Sequence, residues 1–414
     1  TDIDMSGVSD FDPIGDGTTA FTGSFAGNGF TISNLTVDRP TESYVAFFAH
    51  ANGASISDLT LSNCAINGNE TVAGILAKVT SSSRTTFTSL SHCSVTGSVS
   101  SVGGGYVGGI GANFTRVNLE NCSSSAAVNS ASWNAGGLVG SQTIGTVTNC
   151  EATGDVSFSG SQAGGFYGYA NSVQFSNCHS AGALSGSGNH TGGFVGYFVN
   201  AQATNCYATG ANVARGKNAA GFIGYIKGSG SFTHCYSTVT AEDAAFIGSV
   251  NGSSNIQHCV WYTGGAGAAS NSIGLADPSN VIFTDLAQMQ IASNFSGWDF
   301  GPKTEENSGY YWSVASSVNN GFPIYKYHNE SSEDKQTCQM NRDGSIQLGF
   351  KVEAGKAYCM EYSADMVTWI ACGTTIPVSQ TATQITVTDD GENTYPHPNA
   401  ATQRFYRLVE VTEQ

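Results

Sequence analysis

The sequence predicts an all-β protein whose larger part is a parallel β-helix, and three observations carry that expectation. Cysteines recur at 64, 93, 122, 150, 178, 206, 235 and 259, in steps of 28 or 29 residues until a last step of 24. A small-residue motif recurs with them: AGILA (73–77), GGIGA (108–112), GGLVG (136–140), GGFYG (164–168), GGFVG (192–196), AGFIG (220–224) and AAFIG (244–248). Composition suits short strands and tight bends, with 52 Gly, 8 Pro and only 11% charged residues. A fixed period of this length is the mark of a solenoid, in which one coil cannot bury its apolar face alone and is stable only when stacked.

Each coil is expected to contribute the same sites in the same order. Ile75, Ile110, Leu138, Phe166, Phe194, Phe222 and Phe246 form an interior column, with neighbours about 4.8 Å apart as in any paired strands. The small residues two positions on (Ala77, Ala112, Gly140, Gly168, Gly196, Gly224, Gly248) leave room for it. Asn or His precedes every Cys of the series (Asn63, His92, Asn121, Asn149, Asn177, Asn205, His234, His258), where the inward–outward alternation changes phase. Asn tolerates a left-handed bend, and its amide can pair with the next Asn along the stack. Cys then opens the following strand as a small inward hydrophobe. Eight cysteines at one site per coil read as free thiols, because stacked neighbours rarely meet disulfide geometry.

Charge narrows the function. Fifteen Lys and Arg against 31 Asp and Glu leave a net charge of −16, which argues against a nucleic-acid or anionic-membrane partner. No apolar run approaches the ~20 residues of a membrane span. The chain opens on TDIDMSG, already polar, and is expected to be a mature product without a signal peptide. A hydrophobic content of 40% is enough for an extended core.

The repeats GGLVG, GGFVG and AGFIG, with the opening DIDMSGVSDFDPIGDGTTAFTGSFAGNGFTISNLTV, resemble the GLUG-motif repeat proteins of bacterial cell surfaces and secretomes. FTDLAQMQIASNFSGWDFG and YYWSVASSVNNGFPIYKY resemble the closing segment of the same proteins. The resemblance covers residues 1–328 and implies a right-handed parallel β-helix in a secreted or surface protein. It implies no activity, since such repeats accompany adhesins, proteases and carbohydrate-active enzymes alike. A charged linker is expected at 329–337. Residues 338–414 alternate as strands (SIQLGFKV, AYCMEYS, TWIACG, ITVTDD, RFYRLVEV), which predicts a small antiparallel β-sandwich. This part resembles the C-terminal β-domain of many secreted proteins of environmental bacteria. Cys359 and Cys372 flank a hairpin-like segment and are a candidate disulfide, with Cys338 left over.

Ligands of β-helices lie across several coils, so candidate sites are columns that break their own pattern. The outward position after each Cys reads Ala65, Ser94, Ser123, Glu151, His179, Tyr207, Tyr236 and Val260. Small residues there give way to Glu, His, Tyr and Tyr. A carboxylate beside an imidazole raises the imidazole pKa and makes an acid–base pair; the same set also reads as a solvated ladder. The loop before each motif aligns Tyr106, Asn134, Gln162, His190, Asn218 and Glu242, with Trp133, Arg215, Lys217 and Asp243 nearby. Glu242 and Asp243 are adjacent carboxylates in a shortened coil, and a glycoside hydrolase needs two carboxyl groups. A third column runs Lys78, Asn113, Ser141, Tyr169, Tyr197, Tyr225, Ser249. Its three tyrosines form either a platform for sugar rings or a ladder packed under a loop.

No zinc-protease, Walker or nucleophile-elbow motif occurs, and no metal or cofactor is expected beyond an open option of calcium among Asp2, Asp4, Asp10 and Asp12. The expected protein is a secreted, monomeric, polysaccharide-directed β-helix, with algal and sulfated glycans among the candidate substrates. Hydrolysis by Glu151 and His179, or by Glu242 and Asp243, ranks first. Tyr207, Tyr236, Tyr169, Tyr197, Tyr225, His190, Trp133 and Arg215 are expected to bind substrate. A lyase using His179 or Tyr207 as base is an alternative, disfavoured by the scarcity of cations. A non-catalytic glycan-binding or adhesive module is the other.

Overall fold

Every coil meets its neighbours through three strand sites, so three parallel sheets of 15, 12 and 7 strands run along the stack. This computed structural model describes residues 1–263, 277–300, 309–314, 319 and 322–328, apart from Ser9, Asp10, Ser82, Ser132, Val213, Thr240 and Glu242, and the backbone of further strands between 337 and 410. The chain divides into two compact units, residues 1–301 with 312–325, and residues 302–311 with 326–414.

The parallel unit is organised by the columns read from the sequence. Phe166, Phe194, Phe222, Phe246 and Trp261 stack face to face along its axis at 4.8–4.9 Å. All five are buried. The interval equals the strand spacing, because rings on equivalent rungs are carried by the sheet itself. Asn121, Asn149, Asn177 and Asn205 hold φ near +55°. Each of the last three donates its Nδ2 to the Oδ1 of the Asn one coil below, at 3.2, 3.0 and 3.1 Å. The bend therefore satisfies its own side chains along the stack.

Two details differ from the expectation. Cys64 belongs to a different column: it lies inside the strand Thr60–Gly68 and faces Gly97, while the strand after Cys93 pairs with Thr60 and Leu61. The bend matching His92 is Asp58, also at positive φ, and Leu59 takes the site of the cysteine. The true step is then from 58 to 92, lengthened by residues 80–87. The 29-residue interval from Cys64 to Cys93 is a coincidence of number. Asn63 joins a separate short ladder, donating to Asn34, which donates to the Asp4 carboxylate.

The small column also has another cause. A Cβ on Gly140, Gly168 or Gly196 would lie 2.7–2.8 Å from backbone atoms just before a neighbouring motif, such as those of Asn134 and Ala163. The glycines admit that backbone, and the interior rings do not need the space.

The last coil is closed by segments 281–300, 312–314 and 322–325. Asp285 caps a 3-10 turn at Leu286–Gln290 by accepting from the Ala287 amide. Met289, Phe295, Trp298, Trp312, Phe322 and Ile324 then form a second apolar cluster against Tyr207, Tyr236 and Val260. In the other unit, Thr337–Met340, Ile346–Lys351 and Gln384–Asp389 form one antiparallel sheet. Ala357–Ser363 pairs antiparallel with Ile370–Ala371, Ile376–Pro377 and Phe405–Glu410. Cys372, and with it the candidate bond to Cys359, lies outside the described residues.

Candidate functional site

The column after the cysteines is in register from Ser94 to Val260, with Glu151 opposite His179, His179 opposite Tyr207 and Tyr207 opposite Tyr236. Ala65 is the exception and pairs with Ser98. The three rings stack at 4.6 and 4.8 Å, nearly parallel. His179 Nε2 lies 3.4 Å from a Glu151 carboxylate oxygen.

This column is not an open groove. The closing segment covers its upper end, leaving Tyr236 at 0% and Tyr207 at 5% exposure. Tyr236 donates its hydroxyl to the Pro323 carbonyl at 2.5 Å and accepts from Asn319. These two tyrosines are therefore packing residues beneath a cap, against the expectation that they line a substrate face. Burial pushes the Tyr207 phenol upward, away from service as a base. Burial also pushes the His179 imidazole down to about 4, where the neighbouring carboxylate was expected to raise it. The ring lies flat on Tyr207, so losing water costs its cation more than the half-exposed Glu151 returns. Glu151 is raised, again by burial. At neutral pH the imidazole of the pair is neutral. Asp155, further along the same rung, accepts the Ala183 amide at 2.8 Å.

The shortened coil has a structural explanation. Asn134, Gln162 and His190 each donate their amide to a backbone carbonyl of the next coil, those of Ser161, Asn189 and Lys217. The Asn218 amide instead donates to the Asp243 carboxylate at 2.6 Å, and Ala219 shares that oxygen at 3.3 Å. Asp243 thus supplies by its side chain the acceptor that the missing residues would have supplied. Glu242 lies outside the described residues.

The third column is in register throughout, from Lys78 through Asn113, Ser141, Tyr169, Tyr197 and Tyr225 to Ser249. Tyr169 and Tyr197 stack at 5.6 Å, while Tyr197 and Tyr225 are tilted by 43° with centroids 4.9 Å apart. All three are half-buried. His190 joins them from the loop column: its ring meets Tyr197 edge-on at 5.3 Å and Tyr225 at 4.6 Å. A left-handed backbone at His190, φ 59°, turns the side chain that way. Asn218 Nδ2 and His190 Nδ1 lie 2.9 Å apart. Burial, and then the charge of Lys217, hold the His190 imidazole below its usual value. Two places that the sequence left separate, loop and tyrosine column, are one surface. Arg215 and Lys217 are exposed on the loop above His190. Trp133, 60% exposed, occupies the same loop on the coil of Ser141. Lys227 was not singled out as a binding residue. It stands two residues after Tyr225 on one strand, exposed on the same face, and its parity with Tyr225 was the available signal.

Among the described residues no group of three His, Cys, Asp or Glu is placed to hold a metal ion. Asp2 accepts the Thr31 amide, Asp4 serves Ser6 and Asn34, and Asp12 pairs with Arg39 at 3.3 Å. Asp10 is outside the described residues. No described helix is long and apolar enough to cross a membrane.

Fold and surface together define a parallel β-solenoid with an aromatic ladder on one outer face. Within that class the chain carries the GLUG motif, whose family model matches residues 131–157. A 127-residue stretch is 35% identical to halomucin of Haloquadratum walsbyi and spans 30% of this chain but 1% of halomucin. A candidate immunoglobulin A1 protease of Bacteroides ovatus superposes over 79% of this chain and 84% of its own, at 16% identity and a TM-score of 0.41. Tailspike protein 2 of the Escherichia coli O157:H7 bacteriophage CAB120 matches over 88% of this chain and 58% of its own, at 9% identity and a TM-score of 0.21. Neither superposition supports an argument about activity.

Proposed function

We propose that this protein acts outside the cell as a polysaccharide-binding β-solenoid, with Tyr169, Tyr197, Tyr225 and His190 as its contact face. The observation that carries this reading is the in-register tyrosine ladder, partly exposed and edged by His190. Aromatic faces with polar rims suit sugar rings, which present flat C–H surfaces between hydroxyls. Repetition at the strand spacing is close to the rise of one sugar unit in an extended chain. The extracellular placement rests on the resemblance to surface and secreted proteins. The test is affinity electrophoresis against a polysaccharide panel, comparing wild type with Tyr197→Ala. The expected result is retardation by at least one glycan that falls tenfold or more in the variant, with an unchanged circular dichroism spectrum. Retardation by none, or an unaffected variant, overturns the reading.

Hydrolysis is a second reading, favoured by one observation: the 3.4 Å contact between Glu151 and an imidazole kept neutral. A neutral imidazole can accept a proton, although a value pushed down to about 4 makes it a weak base at neutral pH. Its departure from the two-carboxyl pattern of glycosidases ranks it second. New reducing ends released from the panel, and lost in Glu151→Gln, would establish it. Ultraviolet absorbance of unsaturated products would indicate elimination instead. No product with any glycan that binds rules both out for that ligand.

A further inference from the structure

Charge is distributed unevenly along this acidic chain. Between Asp155 and Glu242, residues 156–241 contain no Asp or Glu at all, although the whole sequence has 31 of them against 15 Lys and Arg. The same run holds Arg215, Lys217 and Lys227, which is half of the six cations between residues 44 and 260. All three coils of the tyrosine ladder fall inside it.

The structure gathers these cations at one end of the ladder. Lys227 pairs in register with Val199 and Asn251, two residues beyond Tyr225, about 7 Å along the strand. The Lys217 carbonyl accepts the His190 amide at 2.8 Å, and its charge reaches the imidazole that touches Tyr197 and Tyr225. The Arg215 amide donates to Gly186, beside that loop. All three side chains are exposed, and no described carboxylate pairs with them. Asp243, the nearest described acid by sequence, spends its oxygen on two backbone amides. A chain of charge −16 with three exposed cations beside an aromatic face, none paired to a described carboxylate, has there a surface of opposite sign to the rest of itself.

We propose that the ligand of this face is a sulfated polysaccharide, its rings on Tyr169, Tyr197 and Tyr225 and its sulfate esters at Lys217, Lys227 and Arg215. The proposal rests on the glycan-binding reading and deepens it. A sulfate ester stands off the ring on an exocyclic oxygen, which suits charges placed beside the stacking rings rather than beneath them. A uronate carboxylate is held closer to its ring. Single-stranded nucleic acid also combines stacking with negative charge, but three cations are few against the repulsion of the remaining molecule.

Titration calorimetry with the full chain would use four probes: agarose oligosaccharides, κ-carrageenan oligosaccharides, polygalacturonate oligosaccharides and oligo(dT). The expected order places the sulfated galactan at least tenfold above the neutral one, with affinity falling as salt rises. The double variant Lys217→Ala/Lys227→Ala should lose that advantage and most of the salt dependence while keeping its melting temperature. Equal affinity for neutral galactan, or tighter binding of polygalacturonate or oligo(dT), overturns the sulfate assignment. Binding that Tyr197→Ala removes but the double lysine variant leaves intact overturns it too, and preserves the glycan-binding reading. Binding to none of the three glycans defeats both.

Discussion

Two aromatic columns rise on this solenoid from the same sequence rule, and they meet opposite fates. His179, Tyr207 and Tyr236 occupy consecutive rungs after the cysteines; Tyr169, Tyr197 and Tyr225 occupy consecutive rungs after the small residues. Ring spacing in both is close to 5 Å. The upper end of the first column, Tyr207 and Tyr236, is sealed by the closing segment around Trp298 and Trp312. The second stays partly open to water, with His190 at its edge. A periodic sequence tells where side chains repeat, whereas a non-periodic segment decides which repeated face is left free.

The contrast can be broken most sharply by truncation. Trp312→Ala or Tyr236→Ala should cost about 3–5 kcal/mol, the usual loss for emptying a large buried aromatic site, read by urea denaturation of the parallel unit. Equal losses from Tyr197→Ala would erase the distinction; that variant is expected to lose about 1 kcal/mol or less.

Acid separates the columns next. The folded-state pKa of His179 lies below its unfolded value, so the unfolded chain takes up a proton first as pH falls. Stability should drop between about pH 6.5 and about 4, by up to about 3 kcal/mol. Below that window both states carry the proton and the loss levels off. The raised Glu151 works in the opposite direction, since the folded state holds that proton more readily. His179→Gln should flatten the drop. A profile unchanged by that variant would show the imidazole to be freely solvated.

A smaller effect belongs to the loop that orients the open face. Asp243→Ala leaves two amides without their acceptor and should cost about 1–2 kcal/mol, with His190 losing its contact to Tyr225. Asp243→Asn, which keeps one acceptor oxygen, should recover part of this in thermal melts. Glu151→Gln should shift stability least, by about 1 kcal/mol or less, as a half-exposed pair does.

Much of this was legible because the coil repeats. The Asn bends, the inward cysteines and the phenylalanine column all follow from residue type at a fixed step, and all appear in register. The first coils were misread where the step changed: Cys64 sits 29 residues before Cys93, yet pairs elsewhere because residues 80–87 lengthen that coil. The two candidate sites were less legible. Whether Tyr236 faces a ligand or Pro323 depends on a chain segment more than 80 residues away that has no period. The meeting of His190 with Tyr197 depends on a left-handed backbone at a histidine, for which residue type gives a weak signal. Asp243 looked like half of a catalytic pair because adjacency in sequence was visible, while the two amides it serves were not.

The cysteine column has a consequence for how long the protein survives. Cys93, Cys122, Cys150, Cys178, Cys206, Cys235 and Cys259 are all buried and reduced, and in the closed stack no oxidant reaches them. Outside the cell, where the protein is proposed to act, the surroundings offer no reductant. Any coil that opens there exposes several neighbouring thiols together, and disulfides formed among them block the return to register. Unfolding then becomes irreversible, and the lifetime of the molecule is governed by its opening rate rather than by its equilibrium stability. Refolding yield after denaturation should accordingly be high with thiol reductant present and collapse in air.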